Sequence, residues 1–140
     1  MDSKIIVVSA GIISKDGKIL ISKRRKDAPI EPNKWEFPGG KIEFLESPEQ
    51  ALIREIKEEL DIKIKVEKLF DAVSHVYTRT IHIVMIVYLA EYVSGEIRNF
   101  VHQDSKWVNV KELSDYEFVA ADVPIVKKLM NPKKSNGEQI

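Results

Sequence analysis

Glu55, Glu58 and Glu59 stand at positions i, i+3 and i+4, the spacing that puts side chains on one face of an α-helix. Three carboxylates so placed repel one another, and near a helix C-terminus they also oppose the negative end of the macrodipole. Like-charge pairs at these spacings cost an isolated helix about 0.2–0.5 kcal/mol each. A hard divalent cation reverses the sign, because Mg²⁺ takes carboxylate, carbonyl and water oxygens and bridges them to substrate phosphates. The plainer alternative is a solvated acidic face balanced by Arg54 and Lys57, the common meaning of a charge cluster on a helix. Just upstream, Gly39 and Gly40 follow Pro38. Two adjacent residues without Cβ let the backbone approach a ligand closely, although an ordinary tight turn uses the same residues. The chain has no cysteine, which removes thiolate metal sites and cysteine nucleophiles. His75, His82 and His102 have no metal-ligand spacing and read as structural or surface residues, so zinc is not indicated. No Ser-His-Asp set or Walker-type loop is visible.

The glutamates need a helix to share a face, and the sequence marks one. Ser47-Pro48-Glu49-Gln50 places Ser at the N-cap, Pro at the first helical position and Gln at the third, a capping-box arrangement. The helix is predicted over about 48–60, with Leu52, Ile53, Ile56 and Leu60 as its apolar stripe. Ahead of it, Ile5–Ile13 is rich in β-branched residues and reaches Asp16-Gly17, a hairpin signal before Ile19-Leu20-Ile21. Residues 24–34 carry charges and two prolines and read as a loop. Beyond the helix, 62–66 alternates with lysines, 69–77 and 80–92 read as long strands, and Trp107–Val110 as a short one. A turn of helix is placed at 111–114. A final helix runs from Asp122, its N-cap, to Met130, with Pro124 in the first turn. Residues 1–131 make one domain of α/β class, a mixed sheet covered on both faces. Residues 132–140 offer nothing to bury and are expected to be a disordered tail.

Bulk properties narrow the partners. Lysine plus arginine number 22 and aspartate plus glutamate 22, so no global field favours a nucleic-acid polymer or an anionic membrane. No apolar run approaches the ~20 residues that span a bilayer and the N-terminus lacks a leader pattern. A cytoplasmic protein, monomer or homodimer, is expected.

The joined pattern is more specific than its parts. Gly40, Glu46, Arg54-Glu55-Ile56, Glu58-Glu59 and Ile62 resemble the Nudix box, G-x5-E-x7-R-E-U-x-E-E-x-G-U with U a bulky aliphatic residue. Eight of its nine specified positions match. The surrounding Trp35-Glu36-Phe37-Pro38-Gly39-Gly40-Lys41 resembles the MutT-like branch, which hydrolyses nucleoside triphosphates. The resemblance implies an α/β/α sandwich with a mixed β-sheet. It also implies attack of water on a diphosphate linkage with Mg²⁺, or Mn²⁺ in its place. Glu55, Glu58 and Glu59 would supply metal ligands and base function, the Gly39 carbonyl would complete a metal site, and Glu46 and Arg54 would tie loop to helix. Substrate-contact candidates are Arg24, Phe37, Gly40 and Asp122. Phe37 has core packing as its alternative, and Arg24 a solvated loop.

Three positions depart from the pattern. Asp61 replaces the last box glycine, where a left-handed backbone is usual and Asp is tolerated. Leu45 stands where relatives often have Gly. Val101 precedes His102 where many carry Glu, so one ligand or base is missing. For the base, Asp122 sits in a segment resembling the base-reading one, with a helix cap as its alternative role. An ionised Asp only accepts hydrogen bonds and suits guanine's two adjacent donors, whereas a protonated Asp suits cytosine. The leading expectation is a nucleoside triphosphate pyrophosphohydrolase acting on guanine or oxidised guanine nucleotides, with cytosine nucleotides close behind. The alternatives are ADP-ribose or a dinucleoside polyphosphate as substrate, or a nucleotide-binding module impaired in turnover.

Overall fold

A computed structural model describes residues 3–132. The expected tail falls on residues 133–140, which lie outside the described residues, apart from its first residue, Pro132.

Strand β1 (Lys4–Lys15) turns directly into β2 (Lys18–Lys23). Asp16 and Gly17 both have positive φ, 51° and 78°, and Lys15 pairs with Lys18, which is the two-residue turn that an Asp-Gly pair favours. After the loop come two short strands, β3 (Trp35–Glu36) and β4 (Gly39–Lys41). Helix α1 (Pro48–Leu60) opens with the reciprocal Ser47–Gln50 capping box and closes on Asp61 at φ 59°, ψ 32°. The Asp61 N–H returns to the Lys57 carbonyl at 3.1 Å, and Lys57 Nζ meets Asp61 Oδ1 at 2.7 Å. The left-handed closure therefore survives the loss of glycine.

Strands β5 (Lys63–Thr78), β6 (Ile81–Ser94) and β7 (Asp104–Val108) follow, and the chain ends in helix α2 (Val123–Met130). Two short 3-10 turns, Val110–Asp115 and Ala120–Asp122, connect β7 to α2. The sheet is mixed: β1 runs parallel to β6 over eleven paired positions, and its other pairings are antiparallel. One edge of β1 pairs with β2 only at Ser14 and Lys15 and with β4 at Val8, Ser9 and Ala10. The short β4 thereby carries the glycines to the middle of the sheet.

Alternation along β1 sends Ile13 to the face covered by α1, with Leu52, Ile56 and Leu60. Ala10 and Ile12 face the other layer, with Phe37, Phe118 and Ile125 of the C-terminal segment. This is the α/β/α sandwich. Three sequence expectations are corrected. Ile53 is 42% exposed, because Ala51, Leu52, Ile56 and Leu60 already fill the buried stripe of α1. The segments 62–66 and 69–77 form one strand, whose register shifts against β6 disguise its alternation. The last strand ends at Val108, and Asn109 instead caps the following 3-10 turn with Glu112.

Candidate active site

Arg54 is the hub of the acidic face of α1. Its Nε and Nη2 grip Glu46 at 2.7 and 2.9 Å, a two-pronged pairing that matches guanidinium to carboxylate geometry. Nη2 also donates to the Lys41 carbonyl at 3.0 Å, and Nη1 reaches Glu55 at 3.0 Å and Glu58 at 2.9 Å. One cation thus ties the loop before α1 to the helix and partly neutralises three carboxylates. The Arg54 bond, followed by a backbone bond, holds the Glu46 carboxyl below its usual range, and Arg54 itself is raised chiefly by Glu46. In the same loop Leu45 takes φ 68° while 89% exposed, a left-handed conformation that glycine adopts without strain.

The two glycines act differently. A Cβ on Gly39 would fall 2.0 Å from the Ser9 carbonyl oxygen, whereas one on Gly40 would fall 2.3 Å from the Glu55 Cδ. Gly39 therefore allows β4 to close on β1, and Gly40 opens the space in which the Glu55 carboxylate sits. Glu59, one turn further, is largely buried. Burial, then the charge of Glu55 and a hydrogen bond shared with it, push the Glu59 carboxyl up to about 8. Among the described residues no three acidic or imidazole side chains form a ready-made ligand set, since Arg54 draws Glu55 and Glu58 toward itself. The donors nonetheless suit a hard cation. They are all oxygens, and Glu59 lies partly buried against Glu55, where a divalent charge would relieve the repulsion.

From Glu59 a cleft of about 370 Å³ runs between the sheet and the C-terminal segment, passing Gly39, Gly40 and Phe37 to Asp122. At its far end Asp122 is 2% exposed and makes no side-chain cap bond to α2. Its Oδ2 instead accepts the Phe37 N–H at 2.8 Å, so the capping role is excluded. Burial pushes the Asp122 carboxyl well above its usual range; the Phe37 N–H opposes this, and Glu36 and Glu31 add to it. The Phe37 ring packs on Phe118, centroids 5.3 Å apart, and only 3% of the residue is exposed. Arg24 projects into the cleft with Nη1 3.2 Å from Glu36. Val101 is 44% exposed and borders a neighbouring hollow with Glu59.

Sequence reasoning missed four residues. Glu36 joins Arg24 to His102, a histidine read as structural or surface. Glu31 accepts the Ala120 N–H at 2.9 Å, and the Tyr77 hydroxyl accepts the Ala121 N–H at 3.3 Å, so both anchor the wall beside Asp122. Burial and the neighbouring Glu31 push the Tyr77 phenol up, keeping it protonated. Only Glu36 carried a signal, its place between two aromatic residues beside the glycines.

The NUDIX domain profile matches residues 4–129. The chain belongs to the NUDIX domain family. This Nudix hydrolase is 35% identical over 127 residues to the 8-oxo-dGTP diphosphatase of Escherichia coli, covering 90% of this chain and 97% of that one. It is 36% identical over 128 residues to the CTP pyrophosphohydrolase of the same organism, covering 91% and 93%. Its fold superposes on the MutT NUDIX hydrolase from Burkholderia pseudomallei with a TM-score of 0.79 at 35% identity, covering 89% and 98%. Among the described residues no helix is long and apolar enough to cross a membrane.

Proposed function

We propose that this Nudix hydrolase converts a nucleoside triphosphate to the monophosphate and pyrophosphate, using Mg²⁺, with Mn²⁺ able to substitute. One observation carries the reading: the Glu55 carboxylate fills the space left by Gly40 and meets the buried Glu59 at the mouth of a cleft that ends on Asp122. Glu55, Glu58, Glu59 and the Gly39 carbonyl would hold the ion. When bound, it supplies charge neutralisation at the phosphates and a more acidic water. Arg54, through Glu46 and Lys41, keeps the loop on α1 so that Gly40 and the glutamates stay in register with the substrate. Glu55, Glu58 and Glu59 divide between them the binding of the ion and acceptance of the proton from the attacking water, and Glu59 borders the cleft where that water would stand. Arg24 contacts the nucleotide's phosphates, and the walls of the cleft exclude water from the base.

Base choice follows the state of Asp122. Its complete burial favours the neutral acid, which presents one O–H donor and one carbonyl acceptor side by side. That pair complements N3 and the N4 amino group of cytosine, while guanine's two adjacent donors call for an ionised carboxylate. We therefore favour cytosine nucleotides over the guanine nucleotides that an ionised Asp122 suggests.

The test is pyrophosphate release with Mg²⁺ across a panel of ribo- and deoxynucleoside triphosphates, 8-oxo-dGTP, ADP-ribose and a dinucleoside polyphosphate. A cytosine nucleotide should give the highest kcat/KM. Asp122→Asn, which keeps a donor beside an acceptor, should leave that value within about threefold, whereas Asp122→Leu should lower it about tenfold or more. A tenfold loss in Asp122→Asn would restore the guanine reading. Preference for ADP-ribose or the dinucleotide would replace the triphosphate assignment, and no turnover of any substrate would leave a binding module.

A further inference from the structure

Arg24 is held by two nearby partners and braced by two residues nearly eighty positions away, Gln103 directly and His102 through Glu36. Its Nε donates to the Ile30 carbonyl at 3.0 Å and its Nη1 to Glu36 Oε1 at 3.2 Å. A guanidinium has five N–H donors, so these bonds leave others for a phosphate. The second oxygen of Glu36 lies 2.8 Å from His102 Nε2, and because a carboxylate only accepts, the imidazole donates. Gln103, the next residue, holds the backbone: its Nε2 donates to the Arg24 carbonyl and to Asn33 Oδ1, each at 2.7 Å. Its own N–H binds the Lys23 carbonyl at 3.0 Å. Residues 102 and 103 thus fix both the main chain of Arg24 and the carboxylate that orients its side chain.

The cost of this arrangement is visible on the far side of the ring. The His102 side chain is 5% exposed, and among the described residues its Nδ1 has no hydrogen-bond partner. An apolar side chain of similar size would fill the space without leaving a buried polar atom unpaired. The imidazole is therefore explained by the bond its other nitrogen makes. Arg24 and Glu36 also stand at a partition. They border both the cleft that ends on Asp122 and a second hollow of about 440 Å³ shared with Arg25, Val101 and His102, and Glu59 borders both. A guanidinium held there lies between the nucleoside end of the cleft and the carboxylates of α1.

We propose that His102 is a positioning residue for the reaction: by donating to Glu36 it fixes the carboxylate that aims the Arg24 guanidinium at the nucleotide's phosphates. The inference rests on the reading that Arg24 contacts substrate. An unheld arginine samples many rotamers before each productive encounter, so loss of the clamp weakens binding more than it slows chemistry.

The test is steady-state kinetics of the full chain with Mg²⁺ and the best nucleotide of the panel. His102→Leu should raise KM on the order of 10-fold with kcat within about twofold. His102→Gln, whose amide nitrogen reaches the position of Nε2, should return KM to within about twofold of the wild type. Arg24→Ala should raise KM at least as far, and adding His102→Leu to it should have no further effect, since both act through one contact. A wild-type KM in His102→Leu, no rescue by Gln, or effects that multiply in the double variant would overturn the clamp while leaving Arg24 in place. A wild-type KM in Arg24→Ala would instead remove the substrate role of Arg24, and the clamp with it. Should His102→Leu melt below the assay temperature, Glu36→Leu, which removes both acceptors, carries the test, with the same rise in KM and the same lack of effect on top of Arg24→Ala.

Discussion

Glu58 and Glu59 differ by one position and sit in opposite environments, which separates the chemical from the structural role of the acidic face. The Glu58 side chain is 58% exposed and pairs with Arg54 across one turn, an interaction worth about 0.3–0.5 kcal/mol. Losing it roughly offsets the relief of repulsion from Glu55 and Glu59, so Glu58→Gln should leave the melting temperature of the metal-free protein nearly unchanged. Glu59 is buried against Glu55, and Glu59→Gln should raise that temperature. Both variants should nevertheless lose roughly 100-fold or more in turnover if these carboxylates hold the ion, whose contribution is several kcal/mol. Near wild-type activity in either, measured at saturating Mg²⁺, would remove it from the metal site.

At the scale of elements, the site depends on how closely β4 can lie against β1 and α1. The two glycines report on these contacts separately. A methyl group at Gly40 meets the end of a movable glutamate side chain, while one at Gly39 meets the main chain of Ser9 and Ala10. Gly40→Ala should therefore fold with a melting temperature within a few degrees of the wild type and lose most activity by displacing Glu55. Gly39→Ala should break the pairing of β4 with β1 and destabilise the protein markedly, since backbone cannot yield as a side chain does. Thermal melts of the two variants beside turnover assays check this. Equal stability loss in both would show that the Gly40 contact is structural.

For the whole molecule, the buried glutamate links stability to pH and metal. Glu59 is raised from 4.5 to about 8, so in the metal-free protein the fold keeps a proton that the unfolded chain releases. The stability associated with that proton is fully present below about pH 4.5. It declines as pH rises through the interval and is gone above about 8. The melting temperature of metal-free wild type should thus fall between pH 5 and pH 8.5 more steeply than that of Glu59→Gln. Mg²⁺ should raise the wild-type value most at the upper end, because binding the ionised carboxylates displaces the proton. Parallel pH profiles for the two proteins in a chelator would show that Glu59 does not titrate in this range.

The local features were legible in the sequence because each is written in neighbouring residues. The Asp16-Gly17 turn, the Ser47–Gln50 capping box, the one-sided glutamates and the left-handed Asp61 all depend on contacts within about a turn of chain. The joined spacing of glycines and glutamates carried the fold family as well. What the sequence left open depends on contacts made only when distant strands meet. Asp122 reads equally as a base contact or a cap until the Phe37 N–H, 85 positions away, claims its carboxylate. His102 reads as structural or surface until Glu36, 66 positions away, meets its ring. Ile53 fits a buried stripe by spacing, yet the sheet covers only part of the circumference of α1, and Ile53 lies outside that contact. Periodicity and capping describe a chain's own geometry. Burial is set by what other elements bring against it, and burial decides here which carboxyl keeps its proton and which side chain reaches the cleft.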